Sequence, residues 1–381
     1  MAISACALVV ANTMASDAAP LGSTVLPEPG GASAVGETVL HLVDAARPDP
    51  FEPGRRRELM VSVFYPAADI SKSSRAHYVS TAVMPELEKR LGIGLPGLLT
   101  NSYTDAPALA DTAHPILLYS PGAGVSRLLG TGLAEDLASR GYVVVTVDST
   151  YEAPAVEFPG GRIVKAAPPP NGFDTEIRKK YVAARLADTR FVLDALTQLS
   201  EGGNPDAERR ALPPGLDRAL DLDKVGMVGH SSGGYTAVES MHEDRRIDAA
   251  IDLDGQLGVD ADFGRSVTEG VDRPVLVMTS QQIEEVGDAN PSLDAFWRRG
   301  TGWKRQLTLR DTAHYDYTDL PLLVPAVARP AAPRYIGSLP AERGSALVRT
   351  YVAAMFDKFL RAASGTVLDQ PPSEPEITVE R

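Results

Sequence analysis

The stretch Val225-Gly226-Met227-Val228-Gly229-His230-Ser231-Ser232-Gly233-Gly234 decides the fold of this chain of 381 residues. A short apolar run of strand-forming residues leads into the pattern Gly-x-Ser-x-Gly, and a helix-compatible run follows at residues 235–241. Strand, sharp turn and helix in this order are typical of a nucleophile elbow, where the serine adopts a strained backbone conformation. Small residues are needed two positions before and after that serine, because the strand and the helix pass close together there.

Two adjacent serines compete for the central position of this turn. Ser231 has Gly229 and Gly233 at the two flanking positions, whereas the residue two before Ser232 is His230. A pentapeptide rich in glycine and serine can also be a simple loop, but the strand before it and the helix after it favour the elbow. We therefore predict that Ser231 is the nucleophile.

The overall composition excludes several classes of protein. A formal net charge of -13 argues against nucleic acid and strongly anionic membranes as partners. The content of 44% hydrophobic and 23% charged residues is ordinary for a globular protein, and no apolar run is long enough to insert stably into a bilayer. Cys6 is the only cysteine, and the six histidines are scattered without a zinc signature. We predict no metal, no cofactor and a monomer.

The chain divides into three parts by composition. Residues 1–36 combine an apolar start, a small-x-Ala pattern at Thr13-Met14-Ala15 and a linker rich in Ala, Gly, Pro and Ser. This is the shape of a secretory signal segment that lacks a basic start, so we expect a secreted protein, with a disordered terminus of a cytoplasmic protein as the alternative. Residues 37–363 are expected to form one domain, and the tail at 364–381 is expected to be loosely held.

Continuous apolar runs at residues 115–119 and 142–148 flank a segment with helical spacing at 127–140. Such runs, separated by helical patterns, predict an α/β fold with a mostly parallel sheet that helices cover on both faces. Residues 67–112 are expected to be an excursion over the core, and 149–173 and 320–340 to be loops without a helix or strand; 67–112 and 320–340 are the two possible lids. Further strands are predicted at 38–44, 58–66, 247–255, 274–279 and 305–309, and helices at 82–91, 176–199 and 345–360.

A serine hydroxyl becomes a good nucleophile when an imidazole takes its proton and a carboxylate holds that imidazole. In folds that use this elbow the partners follow in the order serine, acid, histidine. Only His242 and His314 come after Ser231, and His242 lies on the elbow helix. His314 follows the last predicted strand, where the carboxyl ends of the sheet would bring it beside the elbow. We predict His314 as the general base.

The sequence leaves the acid open between several carboxylates. Asp252 and Asp254 stand near the end of the strand after the elbow, and Glu284 and Glu285 follow the next strand. Alternation sends both aspartates to the same side of the strand, so the face does not separate them. Asp254 lies nearer the end of the strand, from which a side chain can reach a neighbouring loop.

The tetrahedral intermediate needs two backbone N–H groups directed at its oxyanion. One is expected from Ser232, directly after the nucleophile. The second is expected from Ala123 in the loop Ser120-Pro121-Gly122-Ala123-Gly124, whose glycines let the backbone approach. The same loop could be only a turn after a strand. Tyr315, Trp303 and Phe296, near the histidine loop, are candidates either for an acyl pocket or for packing.

With these residues in place, the chain resembles the plasma-type platelet-activating factor acetylhydrolase family of the α/β-hydrolases. The acid of that family lies at the end of the strand after the elbow, which favours Asp254. The family's oxyanion loop usually starts with histidine where this chain has Pro121. The matching stretches are residues 57–66, 120–124, 148–153, 188–194, 229–234 and 253–255.

The resemblance implies a secreted serine carboxylesterase that hydrolyses short or oxidised acyl esters without Ca²⁺, including the acetyl group of phospholipid analogues. The expected substrate is a small-molecule or lipid ester. Longer-chain lipases and cutinase-like polyester hydrolases are alternatives, and an amidase or peptidase would use the same triad. A catalytically silent hydrolase fold that acts as a binding protein is the alternative from another class.

Overall fold

The computed structural model describes residues 26–91, 97–166, 174–282, 291–324 and 335–381. Most of the predicted signal segment and linker, together with Glu284 and Glu285, therefore lies outside the described residues. No helix in the described ranges is long and apolar enough to cross a membrane.

Fifteen strands are described, most of them close to the apolar runs of the sequence. They are β1 Val35–Pro48, β2 Arg56–Pro66, β3 Arg75–His77, β4 Leu99–Thr104, β5 His114–Ser120, β6 Val143–Val147, β7 Ala155–Phe158, β8 Arg162–Lys165, β9 Leu220–His230, β10 Ile247–Leu253, β11 Gly258–Val259, β12 Asp262–Phe263, β13 Val275–Ser280, β14 Lys304–Leu309 and β15 Ile377–Val379.

Eleven of these strands form one sheet in the order β15-β14-β13-β10-β9-β5-β6-β2-β1-β4-β3. The strands from β6 to β14 in this order are parallel to their neighbours. The pairings β2–β6, β1–β2, β3–β4 and β14–β15 are antiparallel. The prediction of a mostly parallel central sheet is confirmed, and the carboxyl ends of its middle strands meet at one edge.

Helices cover both faces of the sheet, as the unbroken apolar strands require. The described α-helices are α1 Met84–Leu91, α2 Thr131–Ser139, α3 Thr175–Ser200, α4 Ser232–Glu243, α5 Arg265–Thr268, α6 Pro291–Arg299, α7 Leu320–Leu323 and α8 Ala341–Leu360. One apolar core lies between the sheet and α3, α4 and α6. A second core lies on the opposite face under α2 and α8.

Three local expectations were wrong. Residues 149–173 are not entirely loop, because β7 and β8 pair as an antiparallel hairpin. The tail after residue 363 is not loosely held throughout, since β15 pairs with β14 at the edge of the main sheet. Residues 320–340 include the short helix α7. The first excursion also joins the sheet, because β4 pairs with β1 in parallel.

The turn between β9 and α4 brings three backbone segments into direct contact. A methyl group on Gly229 would lie 2.1 Å from the carbonyl oxygen of Gly233. A methyl group on Gly233 would lie 1.9 Å from the carbonyl oxygen of Ser120, at the end of β5. Backbone atoms cannot move aside as a flexible side chain can, so both positions require glycine.

Replacing either glycine by alanine is expected to destabilise the protein. We expect Gly229→Ala and Gly233→Ala to lower the free energy of unfolding by about 1–3 kcal/mol or more, because each methyl group collides with a backbone oxygen. Gly54→Ala is the control, since no heavy atom lies within 4 Å of its added methyl group. Urea unfolding should leave that control within about 0.5 kcal/mol of wild type. Equal stability of all three variants would contradict the close packing.

Candidate active site

Ser231 occupies the turn between β9 and α4 in a conformation that side chains rarely adopt. Its φ is 56° and its ψ is -123°, and its backbone N–H donates to the carbonyl of Leu253, 2.8 Å away. This strained conformation is the one expected of a nucleophile elbow. Ser232 is the first residue of α4, where backbone N–H groups have no partner within the helix.

His314 begins a short 3₁₀-helix, His314–Tyr317, that follows β14. Its Nδ1 lies 2.7 Å from Oδ2 of Asp254, which is 1% exposed. The backbone N–H of Ser280 donates to Oδ1 of Asp254 at 2.6 Å, and the Ser280 hydroxyl to Oδ2 at 3.1 Å. Ser280, the last residue of β13, therefore holds the Asp254 carboxylate in place while that carboxylate binds the imidazole of His314.

The two aspartates near the end of β10 have different surroundings. The strand ends at Leu253, and Asp254 has a φ of 60°, so the alternation of the strand does not extend to it. Asp252 instead accepts a hydrogen bond from the N–H of Gly255 at 2.9 Å, and its Oδ2 has no partner among the described residues. Burial, and then the charge of Asp254, raises the pKa of Asp252 to about 8.

His242 lies at the far end of the elbow helix and is bonded elsewhere. Its Nδ1 lies 3.1 Å from the carbonyl of Gly270, and its Nε2 lies 3.1 Å from a carboxylate oxygen of Glu269. The structure therefore brings His314, not His242, to the carboxyl edge of the sheet beside Asp254.

His230, the residue before Ser231, forms a hydrogen bond with the loop that carries His314. Its Nε2 lies 2.8 Å from the backbone carbonyl of His314, and the two rings are 4.5 Å apart between centroids. A carbonyl only accepts hydrogen bonds, so Nε2 carries the proton. Burial, and then the proximity of His314, holds the pKa of His230 well below its usual value. His230 is therefore a neutral donor at pH 7.

The glycine-rich loop after β5 reaches the elbow as predicted from the sequence. A methyl group on Gly122 would lie 3.4 Å from Cβ of Ser231 and 3.0 Å from Nδ1 of His230. Ala123, the next residue, is exposed, and its N–H has no hydrogen-bond acceptor among the described residues. Gly122, whose carbonyl carbon is bonded to the nitrogen of Ala123, thus lies against the serine turn.

The aromatic residues near the histidine loop separate into packing residues and a neighbour of the site. Phe296 is fully buried in one core, and Trp303 packs against Phe359 at the other. Tyr315 lies beside His314, with 5.5 Å between ring centroids, and its ring is 6.0 Å from that of Tyr335. Only Tyr315 of the three candidates contacts the predicted base.

Two residues beside the loop were not predicted from the sequence. Arg185, on α3, donates hydrogen bonds to the loop after β5, and Glu152 pairs with Arg185 at 2.8 Å. The available signal was a charged residue three positions after Val182, on the buried face of an amphipathic helix.

Over the described ranges, no three His, Cys, Asp or Glu side chains are grouped so that they could hold a metal ion.

Known proteins that resemble this chain are esterases and acetylhydrolases. The family profile described as "Platelet-activating factor acetylhydrolase, isoform II" matches residues 86–331. A probable 1-alkyl-2-acetylglycerophosphocholine esterase of Arthroderma benhamiae is 26% identical, over 98% of this chain and 97% of the relative. The platelet-activating factor acetylhydrolase of Bos taurus is 23% identical, over 79% of this chain and 70% of the relative.

Among solved structures, a ferulic acid esterase from Streptomyces cinnamoneus has a TM-score of 0.79 to this chain. The two are 38% identical, and the match covers 94% of this chain and 99% of the esterase.

Asp252→Asn is expected to change how stability depends on pH. The Asp252 carboxyl keeps its proton to about pH 8 in the folded chain, whereas its ordinary pKa is 3.8. Between these values the folded chain binds one more proton, so the free energy of unfolding falls as the pH rises, by up to about 1.4 kcal/mol per pH unit. Asparagine removes this loss. Urea unfolding from pH 4 to pH 8 should show the stability of the variant rising relative to that of wild type, and a constant difference over this range would contradict a protonated Asp252.

His230→Leu is expected to lower kcat for p-nitrophenyl acetate about tenfold, because the carbonyl of His314 loses its buried donor. His230→Gln can place an N–H near the position of Nε2, so it should retain most of the activity. Steady-state rates of the two variants, measured on folded protein, provide the comparison. Equal losses in both variants would show that the donated hydrogen bond is not what holds the histidine loop.

Proposed function

This chain belongs to the platelet-activating factor acetylhydrolase isoform II family and is a carboxylic ester hydrolase, and we propose that it uses Ser231, His314 and Asp254 as its catalytic triad. One observation carries the proposal. His314 is bonded to the buried Asp254 at 2.7 Å at the same sheet edge at which Ser231 holds its strained conformation.

In the proposed reaction, Nε2 of His314 takes the proton of the Ser231 hydroxyl as the oxygen attacks the ester carbonyl. Asp254 accepts the hydrogen bond from Nδ1–H, which orients the ring and stabilises the imidazolium. The N–H groups of Ser232 and Ala123 stabilise the oxyanion of the tetrahedral intermediate. His314 then protonates the leaving alcohol, and it activates the water that hydrolyses the acyl-enzyme.

Acetyl or other short acyl esters, including those of phospholipid analogues, are the first proposed substrates. The names of the acetylhydrolase relatives support this class. Among the described residues, the large hydrophobic side chains that are exposed are Val43 and Val379. They lie on β1 and β15, towards opposite edges of the sheet, so they do not form a common apolar patch. This arrangement favours dispersed short-chain esters over the interface of a lipid droplet.

Esters of aromatic acids are the second candidate substrates. The solved structure that is 38% identical over 94% of this chain is a ferulic acid esterase. Tyr315 lies next to His314, and its ring meets that of Tyr335 edge to face, so these rings offer an apolar surface that an aryl acyl group could contact.

The test compares hydrolysis of p-nitrophenyl esters from acetate to palmitate, an acetylated ether phospholipid and methyl ferulate. For Ser231→Ala we expect kcat to fall by about four to six orders of magnitude on every substrate. The matched variant Ser232→Ala keeps its backbone N–H and should retain at least about a tenth of the wild-type kcat, in contrast to removal of an oxyanion donor.

Each outcome of the substrate series separates the candidates. Highest kcat/KM on acetate and the acetyl phospholipid supports the short-chain proposal, and highest kcat/KM on methyl ferulate supports the aryl one. Activity that rises towards palmitate would replace both with a lipase or cutinase-like specificity. Full activity in Ser231→Ala would refute the assignment of the nucleophile.

A further inference from the structure

Arg185 joins helix α3 to the loop that carries Ala123. Its side chain is 4% exposed, and three of its four hydrogen bonds go to consecutive residues of that loop. Nη1 donates to the Ser120 hydroxyl at 3.0 Å and to the carbonyl of Pro121 at 2.5 Å. Nη2 donates to the carbonyl of Gly122 at 3.0 Å, and the same carbonyl accepts from the N–H of Val125 at 3.2 Å.

The fourth hydrogen bond pairs Arg185 with a buried carboxylate. Its Nε donates to Oε2 of Glu152 at 2.8 Å, and Glu152 is 5% exposed. Oε1 of Glu152 has no partner among the described residues. The pair therefore neutralises the buried charge through one oxygen, while the planar fork of the guanidinium remains committed to the loop.

The bond to Gly122 has a direct geometric consequence for the next residue. The carbonyl of Gly122 and the N–H of Ala123 belong to the same planar trans peptide, in which the two groups point in opposite directions. Because the carbonyl is held towards Arg185, the N–H of Ala123 is directed away from Arg185. Gly122 also lies against the other side of the site, 3.4 Å from Cβ of Ser231 when a methyl group is added to it.

We infer that Arg185 is a positioning residue for ester hydrolysis, which fixes the peptide between Gly122 and Ala123 so that the Ala123 N–H faces the oxyanion. The inference rests on the proposed function, because it assumes that Ser231 attacks the ester. Arg185 touches no reacting atom. Arg185 acts on the reaction only through the direction of the Ala123 N–H. Its ion pair with Glu152 holds the arginine side chain in place.

The test uses Arg185→Met and Arg185→Lys in the full chain. Methionine removes all four hydrogen bonds, and we expect kcat for p-nitrophenyl acetate to fall about 100-fold, as for loss of an oxyanion donor, with KM within about threefold. Lysine keeps the charge but lacks the planar fork, so it cannot hold both carbonyls in the same geometry. We expect at least a tenfold loss of kcat in Arg185→Lys.

A pair of inhibitors distinguishes positioning from a general structural role. A trifluoromethyl ketone forms a tetrahedral adduct with an oxyanion, whereas the matching methyl ketone binds mainly as a ground-state analogue. The affinity of Arg185→Met for the trifluoromethyl ketone should fall by about the same factor as kcat/KM. Its affinity for the methyl ketone should stay within about threefold.

Arg57→Lys is the matched control, because Arg57 is another buried arginine that binds carboxylates and a carbonyl but not the loop. It is fully buried and donates to Asp49, Asp188 and the carbonyl of Thr150. We expect it to lower stability while kcat per folded molecule and the ratio of the two inhibitor affinities remain those of wild type.

If Arg185→Met does not fold, Arg185→Lys carries the test alone. A kcat within twofold of wild type in the folded lysine variant overturns the inference, as does an equal loss of affinity for both ketones. Failure of the proposed function gives a different result, since Ser231→Ala would then keep the activity of wild type.

Discussion

The close backbone contact of β9, α4 and the end of β5 is the constraint on which the site depends. Gly229 and Gly233 remove the side chains that would separate these segments, and Ser231 accepts a positive φ between them. A residue in such a conformation costs on the order of 1–3 kcal/mol and persists only where the surroundings enforce it. Here the N–H bond to Leu253 and the packing of Gly233 on Ser120 supply that enforcement.

The carboxyl edge of the sheet then favours the neutral forms of two groups beside the pair of Asp254 and His314. Asp254 receives hydrogen bonds from Ser280 and pairs with His314, so its negative charge is satisfied. Asp252, two residues earlier, receives one hydrogen bond and remains buried, which favours its neutral form. His230 is kept neutral by burial next to His314. Neither Asp252 nor His230 therefore adds a charge that would compete with the pairing of Asp254 and His314.

What could be predicted from the sequence depended on local signals. The elbow is defined by ten consecutive residues, and the proposal of His314 as the base follows from chain order and elimination, so both could be made from the sequence. The choice of Asp254 needed the resemblance, because its φ of 60° reorients the side chain and no pattern encodes that turn. The pairing of β15 with β14 and the contact of Arg185 with Gly122 join segments more than 60 residues apart, and neither segment has a motif of its own.

Arg185 illustrates why a contact of this kind is retained at a buried position. Replacing a buried ion pair by well-packed apolar residues is often neutral or stabilising, so the pair with Glu152 is weak grounds for a role in stability. The geometry favours a different role. The carbonyls of Pro121 and Gly122 follow the end of β5, and the guanidinium binds both from one rigid plane, while the Gly122 carbonyl also accepts from the N–H of Val125. A side chain that fixes two successive peptide planes also fixes the N–H groups on their other side, and this is the physical basis for our proposal that Arg185 directs the N–H of Ala123.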